Sequence, residues 1–424
     1  MKAIIRGGSK LSGQIEAPPS KSYTHRAFIA ALLSKGESII RNPLASEDTD
    51  ATLEACEALG ATVSKGRNEV KILGAERLKA PRAPIDCRES ASTLRFLIPI
   101  AALAEGETYF TGRPGLLKRP VGPLVEALKG LGVKCTSNGG YPPVRVKGPS
   151  LKGGSVSLPG DVSSQFFSGL IFACPLAEGD TSINVVGRLE SKPYVDLTLH
   201  VVAMHGVEVE VSDGVFNIPG GQTYRACSHR VPGDFSSASF LLAAAALTSE
   251  GGVEVSGLNL TFRQPDIEIL NLLGEIGAEV KTEEDRVKVS KGQLKAVRFD
   301  ARDWPDLVPV VAALACHAEG VTEITGAKRL RIKESDRLAV LSLELSKLGA
   351  RVEEKPDGLL IRGGRLKGNV VDPHGDHRIA MACAVAALGA EGETVILNAE
   401  CVAKSYPGFF HDLAKLGGAV SLVQ

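Results

Sequence analysis

The stretch that decides the fold is Ala27-Phe28-Ile29-Ala30-Ala31-Leu32-Leu33-Ser34-Lys35-Gly36-Glu37-Ser38, because it recurs five more times along the chain. Its relatives are LIPIAALAEGET from Leu97, LIFACPLAEGDT from Leu170, LLAAAALTSEGGV from Leu241, PVVAALACHAEGVT from Pro309 and ACAVAALGAEGET from Ala382. The spacing is roughly 70 residues, and self-similarity at a fixed period sets the architecture before any single motif is weighed. A second series follows each copy: EALGATV, KGLGVKC, AMHGVEV, GEIGAEV, SKLGARV and AKLGGAV, each reading as a helix end, a glycine and a strand.

Working outward, Ile269, Leu272, Leu273 and Ile276 recur with helical spacing, whereas Val207, Val209 and Val211 alternate with Glu208 and Glu210 as a half-buried strand does. The unit therefore reads strand, helix, strand, helix, strand, strand. The sixth copy stops one strand short at Ser421-Leu422-Val423-Gln424, and Ala3-Ile4-Ile5-Arg6-Gly7-Gly8 echoes the closing strand Leu359-Leu360-Ile361-Arg362-Gly363-Gly364 of unit five. The N-terminus is thus expected to complete unit six. The fold class is α/β, with residues 15–226 forming a first domain of units one to three. Residues 1–14 and 227–424 form a second domain of units four to six, and a length of 424 residues suits two such cores.

Composition excludes several functions. Lys plus Arg and Asp plus Glu both number 49, so no basic surplus exists for nucleic-acid phosphates, and 5% aromatic residues offer few platforms for bases. The apolar runs are about a dozen residues, short of the ~20 of a membrane helix. No P-loop, GxGxxG, HExxH or GxSxG pattern occurs. The eight cysteines include no CxxC pair, and four of them (Cys56, Cys174, Cys316, Cys383) fall in apolar helices. No metal and no cofactor are assigned. His200 and His205 read as structural, and a cytoplasmic monomer without nucleic-acid or membrane partners is expected.

What remains is charge at helix starts. Pro18-Pro19-Ser20-Lys21-Ser22-Tyr23-Thr24-His25-Arg26 opens the first helix, and Asp161-Val162-Ser163-Ser164-Gln165 opens its counterpart in unit three. Arg331-Ile332-Lys333-Glu334-Ser335-Asp336-Arg337 precedes the second helix of unit five, while Gly375-Asp376-His377-Arg378 and Ala403-Lys404-Ser405 mark the two of unit six. Helix starts present free N–H groups and a favourable dipole to anions. Taken singly, each such cluster is more often a solvated cap. Taken together, in repeats that place them at equivalent ends, they describe a site for small polyanions. Gly233-Asp234-Phe235-Ser236-Ser237 copies the unit-three motif and is expected to serve only as a helix cap at the domain crossing.

PSKSYTHRA, ESASTLRF, KRPVGPLVEAL, GDVSSQF, ESKPYVDLTL, IKESDRL, GDHRIAMA and AKSYPGFF, in that order, resemble the 5-enolpyruvylshikimate-3-phosphate synthase family over nearly the whole chain. The resemblance implies two domains, each of three βαβαββ units about a pseudo-threefold axis (an inside-out α/β barrel), with the active site in the cleft between them. It implies transfer of the enolpyruvyl group of phosphoenolpyruvate to the 5-hydroxyl of shikimate 3-phosphate, by addition and elimination, without metal or organic cofactor. Lys21, Arg119, Arg337, Arg378 and Lys404, together with His377, would hold phosphoenolpyruvate. Lys21, Ser22, Arg26, Ser163, Ser164, Gln165, Ser191, Tyr194, Asp306 and Lys333 would hold shikimate 3-phosphate. Asp306 and Glu334, assisted by Lys21, would move protons. So many cations suggest a cleft held open by like-charge repulsion until ligand arrives.

Two positions depart from the family pattern: Glu89 replaces the common asparagine and Ala91 the common glycine. A carboxylate there must point away from a bound anion, or pair with Arg88 or Arg95. A UDP-N-acetylglucosamine enolpyruvyl transferase would carry a reactive cysteine or aspartate in the loop before Arg119. Here Gly112-Arg113-Pro114-Gly115-Leu116-Leu117-Lys118 has neither. RNA 3′-terminal phosphate cyclases share the unit but require a nucleotide site, and a non-catalytic scaffold leaves the charged helix starts unexplained.

Overall fold

The computed structural model describes all residues of 1–424 except Arg263. The chain divides into two compact domains, one of Lys21–Val231 and one of Met1–Ser20 with Pro232–Gln424.

The unit is plainest in the second repeat. The strands Ile85–Asp86, Gly106–Thr111, Lys134–Asn138 and Tyr141–Gly148 alternate with the helices Ala91–Ala101 and Gly122–Gly130. Within the sheet the fourth strand lies between the second and third. The first pair is parallel, joined by a helix as a parallel crossover requires, and the other pairs are antiparallel. The same order recurs in the third and fifth sheets. In the sixth, Lys2–Arg6 takes the fourth place, antiparallel to both Glu393–Ile396 and Ala419–Val423. Ala3 and Ile5 turn inward and are fully buried there.

The expected domain limits need correction. Gly13–Glu16 precedes the first helix in sequence but pairs in parallel with Val253–Ser256, taking the first place in the fourth sheet. Conversely, Ser228–Arg230 precedes the fourth unit's helix but pairs in parallel with Glu37–Arg41 in the first sheet. Each domain thus takes the first strand of its opening unit from a segment distant in sequence but belonging to the same domain. The boundaries accordingly move from 14/15 and 226/227 to 20/21 and 231/232. Next to them, Ser20 N–H donates to the Pro232 carbonyl (2.8 Å) and Asp234 N–H to that of Pro18 (2.7 Å).

Apolar helices at the start of each unit make the cores. In the second domain Phe235–Thr248, Val308–Ala315 and His377–Leu388 each touch the other two, and all three are buried along their whole length. Helices apolar all round must be central, which leaves the sheets outside with one face in water. In the first domain Ala91–Ala101 touches both Lys21–Leu33 and Ser164–Ala173. The glycines ending the second helices hold the expected left-handed backbone. Gly277 has φ 106°, and a Cβ there would lie 2.4 Å from the Gln293 carbonyl oxygen, so no other residue fits.

Candidate active site

In the first domain the polar groups gather at helix starts. Lys21 begins the helix Lys21–Leu33 and its Nζ donates to Asp48 Oδ2 at 3.0 Å, Asp48 lying in the first turn of Glu47–Ala58. Arg26 is one turn further and buried. Its Nε donates to Thr198 Oγ1 (2.8 Å), and its terminal nitrogens donate to the carbonyls of Ser22 (2.9 Å) and Tyr194 (2.8 Å). Burial pulls the Arg26 pKa down to about 9. Its guanidinium also lies 4.9 Å from the centre of the Phe96 ring. Arg26 is therefore committed to fixing Ser22 and Tyr194.

Ser163 caps the helix Ser164–Ala173 by accepting from Gln165 N–H. Gln165 extends sideways: its amide nitrogen donates to Ser92 Oγ (2.9 Å), and its oxygen accepts from Arg95 Nη1 (2.9 Å). Arg95 also donates to Ser163 Oγ (3.3 Å) and to the Pro120 carbonyl (2.9 Å), tying the helix starts of units two and three to the segment that carries buried Arg119. Ser191 caps Lys192–Met204 with φ 55° and ψ 36°, a left-handed conformation rare outside glycine. Strain of this kind concentrates at functional sites.

Glu89 pairs with neither Arg88 nor Arg95. Its Oε1 accepts from Gly115 N–H at 3.2 Å. Arg88 pairs instead with Glu54 (2.6 Å). The carboxylate thus pins the loop that leads to Arg119.

In the second domain the charges converge on Arg337, whose side chain is 1% exposed. Its Nε donates to Asp376 Oδ2 (2.8 Å), Nη1 to Asp306 Oδ1 (2.9 Å) and Nη2 to Glu334 Oε2 (2.8 Å). Burial lowers the Arg337 pKa, but Asp376, Glu334 and Asp306 outweigh it and hold the group well above its usual value. Asp306 follows the reverse logic. Burial would raise its pKa, yet Arg378, Lys333 and Arg337 bring it well below the usual carboxylate range. Arg378 Nη2 approaches Asp306 Oδ2 to 3.3 Å and donates to Ser236 Oγ at 2.7 Å. Lys333 Nζ is 3.8 Å from Asp306 Oδ1, and burial lowers its pKa to about 8.

Asp376 caps His377–Leu388 by accepting from Arg378 N–H. His377, also buried, has Nδ1 3.8 Å from Asp376 Oδ1. Lys404 ends the short turn Ala399–Lys404, and among the described residues it has no carboxylate partner. Asp234 caps Phe235–Thr248 through Ser237 N–H, the role expected for this copy of the motif.

Within the second domain three cations, Arg337, Arg378 and Lys333, meet three carboxylates, Asp306, Glu334 and Asp376. Lys21 in the first domain is matched by Asp48. Sequence reasoning passed over Asp48, Ser92, Arg95, Ser236 and Asp266. Ser92 and Arg95 could have been found, since they lie three apart on one helix and so share a face. Asp266 left no signal: burial and the nearby Asp306 raise its pKa to about 6, but it sits in an irregular turn after Gln264.

Six such units in two domains, with cations and carboxylates set on helix starts, define a two-domain α/β protein suited to small anionic ligands. The family model for EPSP synthase (3-phosphoshikimate 1-carboxyvinyltransferase) matches residues 5–413, and the chain belongs to that family. A 3-phosphoshikimate 1-carboxyvinyltransferase of Methanocella arvoryzae is 48% identical over 98% of this chain and 98% of its own length. One from Methanocorpusculum labreanum is 45% identical over 98% and 99%. The solved EPSP synthase of Acinetobacter baumannii superposes with a TM-score of 0.84 at 29% identity, covering 100% of this chain and 99% of that one.

Proposed function

We propose that the two sets of residues divide one reaction, the transfer of the enolpyruvyl group of phosphoenolpyruvate to the 5-hydroxyl of shikimate 3-phosphate. Family membership supports the reaction, and the Arg337 fork, with Asp306 and Glu334 on its two arms, carries the assignment of chemistry to the second domain.

In the first domain Ser22, Ser163, Ser164, Gln165, Ser191 and Tyr194 hold shikimate 3-phosphate, with Arg26 and Arg95 fixing their geometry. Lys21 lies at the junction of both substrates and exchanges Asp48 for a ligand anion. Arg119, Arg337, Arg378, Lys404 and His377 receive phosphoenolpyruvate, while Lys333 and Asp306 are assigned to shikimate 3-phosphate as well. In the addition step the 5-oxygen bonds to C2 of phosphoenolpyruvate, its proton leaves to a base, and a proton is delivered to the methylene carbon. In the elimination step the new methyl group returns a proton and phosphate departs with the C–O electron pair. Asp306, held ionised by its cationic neighbours, has no proton to give at the outset and enters the reaction as an acceptor. Glu334, on the other arm of the same guanidinium, completes the pair.

We also read the chain as a cytoplasmic monomer that requires no metal for turnover. Its cysteines are all unbridged, as in a reducing compartment. No helix among the described residues is long and apolar enough to cross a membrane.

A phosphate-release assay with phosphoenolpyruvate and either shikimate 3-phosphate or UDP-N-acetylglucosamine tests the reading. Release with the first acceptor, persisting in excess EDTA, is expected. Release with the nucleotide sugar alone, or loss of turnover on chelation, would contradict it.

A further inference from the structure

Away from these residues, the first domain brings two buried imidazoles and a thiol together. His205 ends the helix Lys192–Met204, and His229 lies in the strand Ser228–Arg230 that the far end of the chain lends to the first sheet. Their Nε2 atoms are 2.8 Å apart, both side chains are fully buried, and the rings are stacked with centroids 4.9 Å apart. Cys227, two residues before His229 and therefore on the same side of an extended segment, is half-buried. One ligand-type atom of each of the three residues lies within 4.8 Å of the other two.

The atoms behind these rings decide how the cluster can be used. His205 Nδ1 is 2.8 Å from the Arg225 carbonyl oxygen, an acceptor only, so Nδ1 carries the proton and Nε2 the lone pair. Ser34 Oγ is also 2.8 Å from that nitrogen and passes its own proton to the Ala30 carbonyl. His229 Nδ1 is 3.1 Å from Tyr23 Oη, whose own proton has an acceptor in Met204 Sδ at 3.4 Å. At 2.8 Å the two Nε2 atoms share one hydrogen, which His229 carries while its Nδ1 accepts from Tyr23 Oη; an ion that takes its place shifts that proton to His229 Nδ1, where Tyr23 Oη can accept it, and leaves both Nε2 lone pairs free. An oxygen behind the far nitrogen of each ring is the arrangement that orients metal-binding histidines.

We propose that His205, His229 and Cys227 form a binding site for a borderline-soft divalent cation, zinc in the first place. Nitrogen and thiolate donors select zinc over magnesium or calcium. At Zn–N distances of about 2.0–2.1 Å a tetrahedral ion sets two nitrogens roughly 3.3 Å apart, so the rings open by about half an ångström. Cys227 loses its thiol proton to solvent on binding, and no oxidation or reduction is involved. Water takes the fourth position, through the side on which Cys227 is exposed. The role is that of a clip. The ion ties the lent strand, which ends one residue before the domain boundary, to the end of the helix Lys192–Met204. None of the three ligands is among the residues assigned to the reaction, so loss of the ion costs stability and leaves turnover in place.

Cobalt(II) titration of the metal-stripped full chain tests the site, because a cobalt–thiolate bond absorbs in the near ultraviolet. One equivalent is expected to give that band. In Cys227→Ser the band disappears and zinc, measured by competition with a chromophoric chelator, binds about tenfold more weakly or worse. Cys401→Ser, which removes the other half-buried thiol, keeps the band and the affinity. Zinc should raise the melting temperature of the wild type and not that of Cys227→Ser. A missing band, or one that survives Cys227→Ser, would overturn the proposal, and neither result bears on the phosphate-release assay.

Discussion

The five residues Gly160-Asp161-Val162-Ser163-Ser164 and Gly233-Asp234-Phe235-Ser236-Ser237 spell the same motif in the two domains and do different things. In the first domain the cap is Ser163, the helix starts at Ser164, and Asp161 is left exposed. In the second the cap is Asp234, the helix starts two residues earlier in the motif at Phe235, and Ser236 accepts from Arg378. A carboxylate that caps a helix uses the N–H groups that a phosphate would otherwise take. A serine cap leaves charge out of the site. The difference runs through both domains: in the first, hydroxyl and amide groups are held by arginines that bond to neutral partners, beside one carboxylate-matched lysine, and in the second the cations are already neutralised by acids. In the function proposed above, the first holds the phosphorylated ring and the second moves protons.

The strongest break of this comparison lies in the pair proposed to move protons. Asp306→Ala and Glu334→Gln should each lower kcat by about 10²–10⁴-fold, the usual worth of a general acid or base. A steady-state kcat within about threefold of wild type would remove either residue from the chemistry.

Stability should separate the domains as well. Asp376→Asn withdraws a partner from the buried Arg337, and denaturant unfolding should show a loss of about 3–5 kcal/mol. Asp48→Asn acts on Lys21, which is 16% exposed against 1% for Arg337, and should cost less.

Asp266 gives the comparison a pH axis. Its pKa in the fold, about 6, is above the ordinary 3.8, so the native state keeps a proton that the unfolded chain has lost. Its contribution is complete below pH ~4 and fades as pH rises through about 6, by up to about 3 kcal/mol. Asp266→Asn should flatten that part of the stability curve. Asp306 works in the opposite sense, adding stability above its ordinary pKa that is lost in stronger acid.

The smallest effects test the caps themselves. Ser163→Ala and Asp234→Ala should each cost about 1 kcal/mol, while Asp161→Ala should change thermal stability by almost nothing. A cost at Asp161 equal to that at Asp234 would erase the shift in helix start.

Much of this was legible in the residues. Apolar helices recurring with glycine-ended partners gave six units, because a helix apolar all round has nowhere to go but a core. The origin of the opening strands was not legible. Gly13–Glu16 and Ser228–Arg230 are three or four residues long with one buried side chain each, and their partners lie far along the chain. Among the polar residues, Lys333, Glu334 and Arg337 stand in a recognisable helix-start motif, and the structure brings their side chains together with Asp306. Asp48, Asp266 and the cluster of His205, Cys227 and His229 were not legible, since their meaning depends on which helices touch. Glu89 was flagged as discordant, and its partner proved to be a backbone N–H, a group that no sequence pattern marks.

The division of labour between the domains is tested most directly by calorimetric titration of shikimate 3-phosphate, without phosphoenolpyruvate, into Glu334→Gln and Gln165→Ala. Glu334→Gln should bind with nearly the wild-type dissociation constant, and Gln165→Ala should bind about tenfold more weakly or worse, having lost hydrogen bonds that hold a charged ligand. Equal weakening in both variants, or intact binding in Gln165→Ala, would contradict the account.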